Sequence, residues 1–407
     1  MLLRYGPSKD GRIEKKAHIY TLAEHGIDTH QVDPDASWVV RQLRREGFQA
    51  YIVGGAVRDL LIGRHPKDFD IATDAHPLQI RRVFHSARII GRRFRIVHVY
   101  CGREKYIEVT TFRSRSSVGT SSSRTSHDNN LYGTMEEDAE RRDFTMNALY
   151  YNPVGRQVID YVGGYADIKA RRIKTLLPAE TSFAEDPVRM IRAVKYACLA
   201  DFPLPPGMAN LIRRQKESIL SCSRERVTEE VYKILTSGKA EGILELADRM
   251  QLFAVIFPAL DASFHAARQK VADTPLFARL RSLDERAREG KALARDAMFE
   301  LLFRDLALER KELREDVDPL SFLQQFLRQC SEPLFPSKRD IGIAAEAVLR
   351  EAWPHRKPPA ASTVQRRHPP VPASARGAAG ALTGRHPPTR RRRRRRGRGR
   401  GKTPPQP

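Results

Sequence analysis

A short apolar run that ends in two glycines, followed by a second run carrying two aspartates, constrains this chain most. Residues 49–53 (QAYIV) predict a buried strand, and Gly54-Gly55 predict a turn into a short helix that ends near Gly63. Residues 68–73 predict a second strand, in which alternate side chains share a face. Asp68 and Asp70 should therefore project together while Phe69 points into the core.

Later segments extend this pattern. Pro77 begins a short predicted helix, and strand-like runs follow at residues 88–90, 94–100 and 105–112. Residues 114–134 are rich in Ser, Thr, Gly and Asn and predict a mobile loop, because they hold too little apolar surface to offset their ordering entropy. Thr134 and Glu137 fit a capping box that opens a helix through Ala148. From Glu185 onward the pattern is helical.

These changes of pattern predict an α+β fold in five segments. We expect an N-terminal arm at residues 1–35 and a mixed-sheet head at 36–178 that contains the loop 114–134. A helical neck and body at 179–260 and a helical C-terminal domain at 261–354 should follow. Residues 355–407 are rich in Pro, Ala, Gly and Arg, a composition that predicts a disordered tail.

The positive charge is concentrated at the end of the chain. Sixteen Lys and Arg residues and no acid lie in 355–407, so the first 354 residues carry only +7 of the net +23. A polyanionic partner is expected, because neutralising phosphates releases counterions. Membrane lipid is the rival polyanion, but no amphipathic segment accompanies the charge.

Other features indicate a cytoplasmic protein. The four cysteines (Cys101, Cys198, Cys222 and Cys330) form no CxxC pair and are expected to be reduced thiols. No apolar run approaches the roughly 20 residues of a membrane span. The first residues also lack the apolar centre of a secretory signal.

Two carboxylates one pleat apart repel each other unless a cation lies between them. Mg²⁺ suits Asp68 and Asp70, because it takes few carboxylates together with substrate phosphates. Two such ions, with Mn²⁺ as an alternative, can activate a hydroxyl nucleophile and neutralise a departing pyrophosphate. Glu108, on a neighbouring predicted strand, or Asp143 could supply a third carboxylate.

The glycine turn adds a phosphate site. Gly54 and Gly55 let backbone amides approach phosphate oxygens at the start of a helix, and Arg58 can grip a triphosphate. A glycine pair alone is usually only a turn, and a DxD motif alone is a surface strand or a turn about as often as it is a metal site. Their combination at this spacing is more specific.

Five motifs in this order resemble those of the bacterial class of the tRNA nucleotidyltransferase and poly(A) polymerase superfamily: GGAVRD, DIAT, EVTTFR, EEDAERRDFTMNALYY and EDPVRMIRA. The resemblance covers about residues 20–260. It implies a palm-type head followed by helical neck, body and tail domains. It also implies that Asp68 and Asp70 bind the catalytic metals, with Asp143 preferred over Glu108 as the third catalytic carboxylate.

The resemblance further implies a set of nucleotide-binding residues: Gly54, Gly55, Arg58, Asp59, Arg142, Asp186, Arg189 and Arg192. Asp186 and Arg189 are three apart, hence on one helical face. Asp186 would accept a hydrogen bond from the amino group of adenine or cytosine, and Arg189 would donate one to the neighbouring ring nitrogen. Guanine and uracil present the donor and acceptor in the reverse order. The alternative is that Asp186, before Pro187, only caps a helix. Lys195 departs from the family, in which an arginine is common at that position.

The pair Asp186 and Arg189 does not separate a poly(A) polymerase from a CCA-adding enzyme. The stretch 89–99 resembles the polymerase branch and places Arg92, Arg93 and Arg95 where RNA could lie. The tail could also bind RNA, or simply solubilise the chain, through Arg390, Arg391, Arg392, Arg393, Arg394, Arg395 and Arg396.

The resulting hypothesis is a polynucleotide adenylyltransferase. It would add AMP from ATP to the 3′ ends of mRNA and other transcripts without a template, by a two-metal mechanism; its partners in RNA degradation are not identified. A CCA-adding tRNA nucleotidyltransferase is the alternative. A catalytically inactive basic RNA-binding protein is the second alternative.

Overall fold

The computed structural model describes residues 2–7, 13–91, 95–102, 105–114, 132–291, 293–309 and 318–352. Several of the expectations above lie outside these residues. They are the RNA-binding roles of Arg92 and Arg93, the loop at 115–131, and the whole basic tail with its run of arginines at 390–396.

The described part of the head is built on one mixed sheet of nine strands. In chain order they are β1 (Leu2–Pro7), β2 (Ile13–Tyr20), β3 (Ala50–Val53), β4 (Asp70–Thr73), β5 (Ala87–Ile90), β6 (Ile96–Tyr100), β7 (Tyr106–Thr111), β8 (Leu149–Asn152) and β9 (Gln157–Asp160). Their spatial order is β1-β2-β9-β8-β3-β4-β7-β6-β5. Every neighbouring pair is antiparallel except β4 and β7, which run parallel.

The N-terminal region differs from the expected arm, because β1 and β2 join the sheet. They pair with each other, and β2 pairs with β9 through His18 and Asp160. Ala17 is buried and Ile19 packs against the same apolar cluster. This alternation of two inward side chains in a polar segment is the physical reason for the added strand.

Six helices accompany the sheet: α1 (Leu22–His25), α2 (Pro34–Arg45), α3 (Gly55–Leu61), α4 (Pro77–Val83), α5 (Met135–Glu140) and α6 (Gly164–Lys169). The capping box at Thr134 and Glu137 is present, but the helix predicted through Ala148 ends at Glu140. The chain then leaves the helix so that Phe144 can enter the core and form a bridge with Thr175.

The rest of the described chain is helical. Its helices are α7 (Ala179–Glu185), α8 (Val188–Ala200), α9 (Pro206–Gln215), α10 (Arg224–Leu235), α11 (Ala240–Arg249), α12 (Leu252–Ile256), α13 (Pro258–Ala266), α14 (Pro275–Arg288), α15 (Arg295–Leu308), α16 (Pro319–Cys330) and α17 (Lys338–Ala352). The predicted α+β class is therefore confirmed, with a mixed-sheet head and a helical body. No helix in the described ranges has both the length and the apolar character to cross a bilayer.

Side chains alternate between two apolar clusters on opposite faces of the sheet. Ile52 and Ile71 face a large cluster that continues without a break through the body helices as far as Leu349. Tyr51 and Ala72 face a smaller cluster that packs beneath α5. Head and body therefore share one hydrophobic core, which holds them around the cleft described below.

Candidate active site

A cleft of about 1670 Å³ lies between the head sheet and the body helices α8, α10 and α11. It is lined by every described residue that the sequence predicted for catalysis or nucleotide binding: Gly54, Gly55, Arg58, Asp59, Asp68, Asp70, Glu108, Arg142, Asp143, Asp186, Arg189 and Arg192. Arg95 is described and exposed, and it does not line this cleft. Residues far apart in the sequence thus meet in one place.

The floor of the cleft carries neighbouring carboxylates. Asp68 and Asp70 both face the cleft while Phe69 between them is buried, as strand alternation predicts, although β4 itself begins only at Asp70. Asp70 pairs with Glu108 across the parallel strands β4 and β7, so these two side chains lie side by side on one face. Asp70 is open to the cleft, but the surrounding protein partly desolvates its carboxylate, and this desolvation, then the charges of Glu108 and Asp68, raise the pKa of Asp70 to about 6.

These carboxylates suit a divalent cation whose remaining ligands come from substrate. Within the residues that the structure describes, no group of three or more His, Cys, Asp or Glu side chains is arranged to hold a metal by itself. Mg²⁺, however, is usually bound through one or two carboxylates together with substrate phosphates. Asp68 and Asp70, with Glu108 adjacent, provide that donor set, and the repulsion that raises the pKa of Asp70 is what a cation would relieve.

Asp143 lies in the same cleft but is held by other partners. Its Oδ2 accepts from Arg192 Nε at 2.6 Å, and its Oδ1 accepts from the Phe144 amide at 2.9 Å and from Asn147 Nδ2 at 3.2 Å. Burial opposes ionisation, but the Arg192 charge and these hydrogen bonds outweigh it and lower the pKa of Asp143. The geometry therefore favours Glu108 over Asp143 as the neighbour of the two aspartates.

The turn that precedes α3 requires glycine at one position. Gly54 has φ +70°, which disfavours any residue with a Cβ, and a Cβ there would lie 3.3 Å from Arg142 Nη1. Arg142 Nη2 donates to Asp138 Oδ2 at 2.9 Å, and its Nη1 donates to the Asn147 carbonyl at 3.3 Å. The glycine thus lets a guanidinium pack directly against the turn at the cleft wall.

Arg58 is buried, and its guanidinium is bonded within the protein. Its Nε donates to Asp59 Oδ1 at 2.9 Å and its Nη1 donates to Asn147 Oδ1 at 2.9 Å. The guanidinium carbon also lies 4.9 Å from the centre of the Tyr196 ring. The contact with Tyr196 joins α3 in the head to α8 in the body.

Asp186 and Arg189 stand at the start of α8. Arg189 Nη1 donates to Ser182 Oγ at 3.0 Å and to the Ser182 carbonyl at 3.1 Å, and Glu185 Oε2 lies 3.4 Å from the same nitrogen. Arg189 Nε is 4.0 Å from Asp186 Oδ2. Asp186 Oδ1 is buried and has no hydrogen-bond partner among the described residues. The cap role considered for Asp186 is not seen, because α8 has no side-chain cap.

The sequence prediction missed a buried charge cluster behind these residues. Glu230 on α10 accepts from Arg192 Nη1 at 3.0 Å and from Lys195 Nζ, and both Glu230 and Lys195 are almost fully buried. Lys195, which departs from the family pattern, thus keeps an ion pair as a single-point donor. The sequence does carry one sign of this cluster: Arg226, Glu230 and Lys233 are spaced so that they share one face of α10.

Comparison with known proteins places these features in a family. Residues 50–174 match the family described as "Poly A polymerase head domain". Residues 201–264 match the family described as "Probable RNA and SrmB- binding site of polymerase A". Over 346 residues the chain is 34% identical to Poly(A) polymerase I of Haemophilus influenzae, covering 83% of this chain and 76% of that protein. Poly(A) polymerase I of Salmonella typhi is 33% identical over 81% of this chain and 73% of that protein.

CCA-adding enzymes also match, over a shorter stretch. That of Bacillus licheniformis is 38% identical over 224 residues, which is 55% of each chain. Among solved structures, the Bacillus stearothermophilus CCA-adding enzyme in complex with CTP is 27% identical, with a TM-score of 0.48 over 79% of this chain and 83% of that chain. On the strength of the poly(A) polymerase relatives, which span most of both sequences, the protein belongs to the tRNA nucleotidyltransferase/poly(A) polymerase family and is a nucleotidyltransferase.

Proposed function

We propose that this chain is a polynucleotide adenylyltransferase, which adds AMP from ATP to RNA 3′ ends without a template and releases pyrophosphate. One observation carries the proposal. A single cleft holds the neighbouring carboxylates of the head and, on its body side, the partly buried Asp186 and Arg189 at the start of α8. A nucleoside triphosphate needs both kinds of surface, one for its phosphates and one for its base.

Asp68 and Asp70 are the proposed metal ligands, with Glu108 as the third carboxylate beside them. Mg²⁺ bound there, or Mn²⁺ in its place, would supply positive charge for an attacking 3′-hydroxyl and a departing pyrophosphate. The chain itself fixes the relative positions of the Asp70 and Glu108 carboxylates through strand pairing between β4 and β7. Arg142, packed against the glycine turn, places positive charge close to the same floor.

Base recognition is assigned to Asp186 and Arg189. The unpartnered Oδ1 of Asp186 is a buried acceptor, which costs about 1–3 kcal/mol unless a donor reaches it. The amino group of adenine is such a donor, and Arg189 can supply the ring nitrogen with a hydrogen bond. Guanine and uracil present a carbonyl where the amino group should be, so the carboxylate would face another acceptor.

A CCA-adding enzyme uses both CTP and ATP. The proposal that this chain uses ATP alone rests on how much of the chain each kind of relative matches. The Poly(A) polymerase I match extends over 83% of this chain, whereas the CCA-adding enzyme of Bacillus licheniformis matches 55%. The RNA substrate is supported by the basic composition and by the family match at residues 201–264. Cytoplasmic mRNA and other transcripts are the proposed acceptors.

The test is an extension assay. The protein is incubated with Mg²⁺, a labelled oligoribonucleotide or a tRNA lacking its CCA end, and each nucleoside triphosphate separately. We expect long A tracts on the oligoribonucleotide from ATP alone. Short addition of C and A confined to tRNA would instead support a CCA-adding enzyme, and no extension would support an inactive RNA-binding protein.

A matched pair of variants tests the carboxylates. Asp70→Asn should abolish extension while RNA binding in a filter assay is retained. Asp35→Asn is the control, because Asp35 pairs with Lys105 at 2.7 Å on the surface and does not line the cleft. Full activity in Asp70→Asn would overturn the assignment of the metal site.

A further inference from the structure

Arg226 touches the residue to which base recognition is assigned. It lies near the start of α10, some 40 residues from Asp186 along the chain, and it lines the cleft. Its Nη2 donates to Asp186 Oδ2 at 2.7 Å. The Arg226 side chain is half exposed, whereas that of Asp186 is only 20% exposed. The contact therefore reaches from the open cleft into the start of α8.

The two oxygens of Asp186 are not equivalent. Oδ2 takes the Arg226 hydrogen bond and is 4.0 Å from Arg189 Nε. Oδ1 is buried and lacks a partner within the described part of the chain. A carboxylate with one oxygen held by a guanidinium cannot turn to share its charge equally, because rotation would break a charge-assisted hydrogen bond. The remaining oxygen therefore points in a fixed direction.

We propose that Arg226 is a positioning residue for nucleotide selection. By holding Oδ2, it leaves Oδ1 as the single acceptor for the amino group of the incoming base. This inference rests on the proposed function and adds to it a residue from a different helix. A base that offers a carbonyl at that position meets the lone pairs of Oδ1, whose direction Arg226 sets. Selectivity then depends on Arg226 even though it need not touch the nucleotide.

Two further observations agree with this role. The hydrogen bond to Asp186 raises the pKa of the Arg226 guanidinium above its already high ordinary value, so Arg226 stays charged. The helices α8 and α10 are also joined independently by Arg192 and Glu230 at 3.0 Å. Holding the two helices together does not therefore depend on Arg226, which leaves its contact with Asp186 as its distinctive feature.

The experiment compares ATP with GTP, a purine of similar size with the reverse donor order. Single-nucleotide addition to an oligoribonucleotide gives kcat and KM for each nucleotide with the full-length wild type, Arg226→Ala and Arg226→Lys. Loss of one charge-assisted hydrogen bond should lower the ATP-over-GTP ratio of kcat/KM by about tenfold in Arg226→Ala, mainly through KM for ATP. Arg226→Lys should recover much of the ratio, because a single donor suffices for Oδ2.

Arg224→Ala is the matched control on the same helix. Arg224 bonds to the Pro333 carbonyl at 2.9 Å and to the Leu334 carbonyl at 3.1 Å, away from the cleft lining, so its loss should leave the ratio unchanged. An unchanged ratio in Arg226→Ala, or equal losses with ATP and GTP, would overturn the positioning role. If the wild type extends RNA with none of the nucleotides, the proposed function itself is overturned, and the inference with it.

Discussion

Arg192 Nε donates to Asp143 Oδ2 over 2.6 Å, which joins the largely buried Asp143 of the head to helix α8 of the body. The same guanidinium bonds Glu230 through Nη1 at 3.0 Å. Asp143 is thus one end of a charge network that connects head and body, whereas Glu108 lies beside Asp70 in the sheet. The two candidates for the third carboxylate consequently make different predictions.

Glu108→Gln should lower kcat by about 100-fold, the size typical when one preorganised charged group is removed from a reacting centre. Its stability should be unchanged or slightly higher, because one of three neighbouring like charges is removed. Asp143→Asn should instead lose about 2 kcal/mol of unfolding free energy with its charged hydrogen bond, and keep more of its kcat. Single-turnover extension and urea denaturation measure the two effects. Asp143→Asn with normal stability and no activity would favour Asp143 as the catalytic carboxylate.

Removing the charge of Glu230 should destabilise the fold. Glu230→Gln leaves the buried Lys195 and the partly buried Arg192 without their shared carboxylate, and breaking a buried pair in this way costs about 3–5 kcal/mol. Urea denaturation provides the measurement. Glu229→Gln is the control, because Glu229 is exposed, pairs with Arg295 on the surface and should cost no more than about 1 kcal/mol. Equal losses in the two variants would show that the buried pair makes no net contribution.

Gly54→Ala should impair nucleotide binding as well as stability. Gly54 and Gly63 both have a positive φ, +70° and +73°, which residues with a Cβ rarely adopt, so alanine at either should cost about 1–3 kcal/mol. Only at Gly54 does the added Cβ meet Arg142 Nη1, at 3.3 Å, whereas nothing lies within 4 Å at Gly63. We therefore expect a raised KM for ATP in Gly54→Ala alone. Equal KM values for ATP in the two variants would show that Arg142 does not take part in nucleotide binding.

Ionised Asp138 should stabilise the fold, and this contribution to the free energy of unfolding should be lost at acidic pH. Burial opposes its ionisation, but Arg142 and Arg141, with a hydrogen bond from Tyr150, lower the pKa of Asp138 from 3.8 to about 2. Its contribution, about 2 kcal/mol, is complete above pH 3.8 and is lost as the pH falls to about 2. The stability difference between wild type and Asp138→Asn, measured by urea denaturation, should narrow over that interval. Glu140→Gln, at the exposed end of the same helix, is the control and should show no such narrowing.

Local patterns in the sequence predicted the parts of the site that depend on local geometry. The alternation of Asp68, Phe69 and Asp70 predicted two cleft-facing carboxylates around a buried ring, and the structure has this arrangement. The glycine turn before α3 was likewise visible, since Gly54 has the positive φ that only glycine adopts easily. Such features follow from the period of a strand or the freedom of one residue.

Contacts between distant segments were not predictable in the same way. Arg226 reaches Asp186 across 40 residues, and Glu230 reaches Lys195 across 35 residues, so no spacing rule links either pair. The N-terminal hairpin was missed because the segment of β2 is largely polar, and Ala17 and Ile19, which pack into the smaller cluster, are too few for a clear alternation. In each case the partner that gives the residue its role lies on another element.

The continuous apolar core beneath the sheet has a practical consequence for anyone dividing this chain. A fragment ending at residue 178 would remove α8 from Phe144, a fully buried residue of the head whose ring centre lies 5.6 Å from that of Tyr196, and would expose apolar surface that the body now covers. Such a fragment should aggregate, and the intact protein should melt in one calorimetric transition.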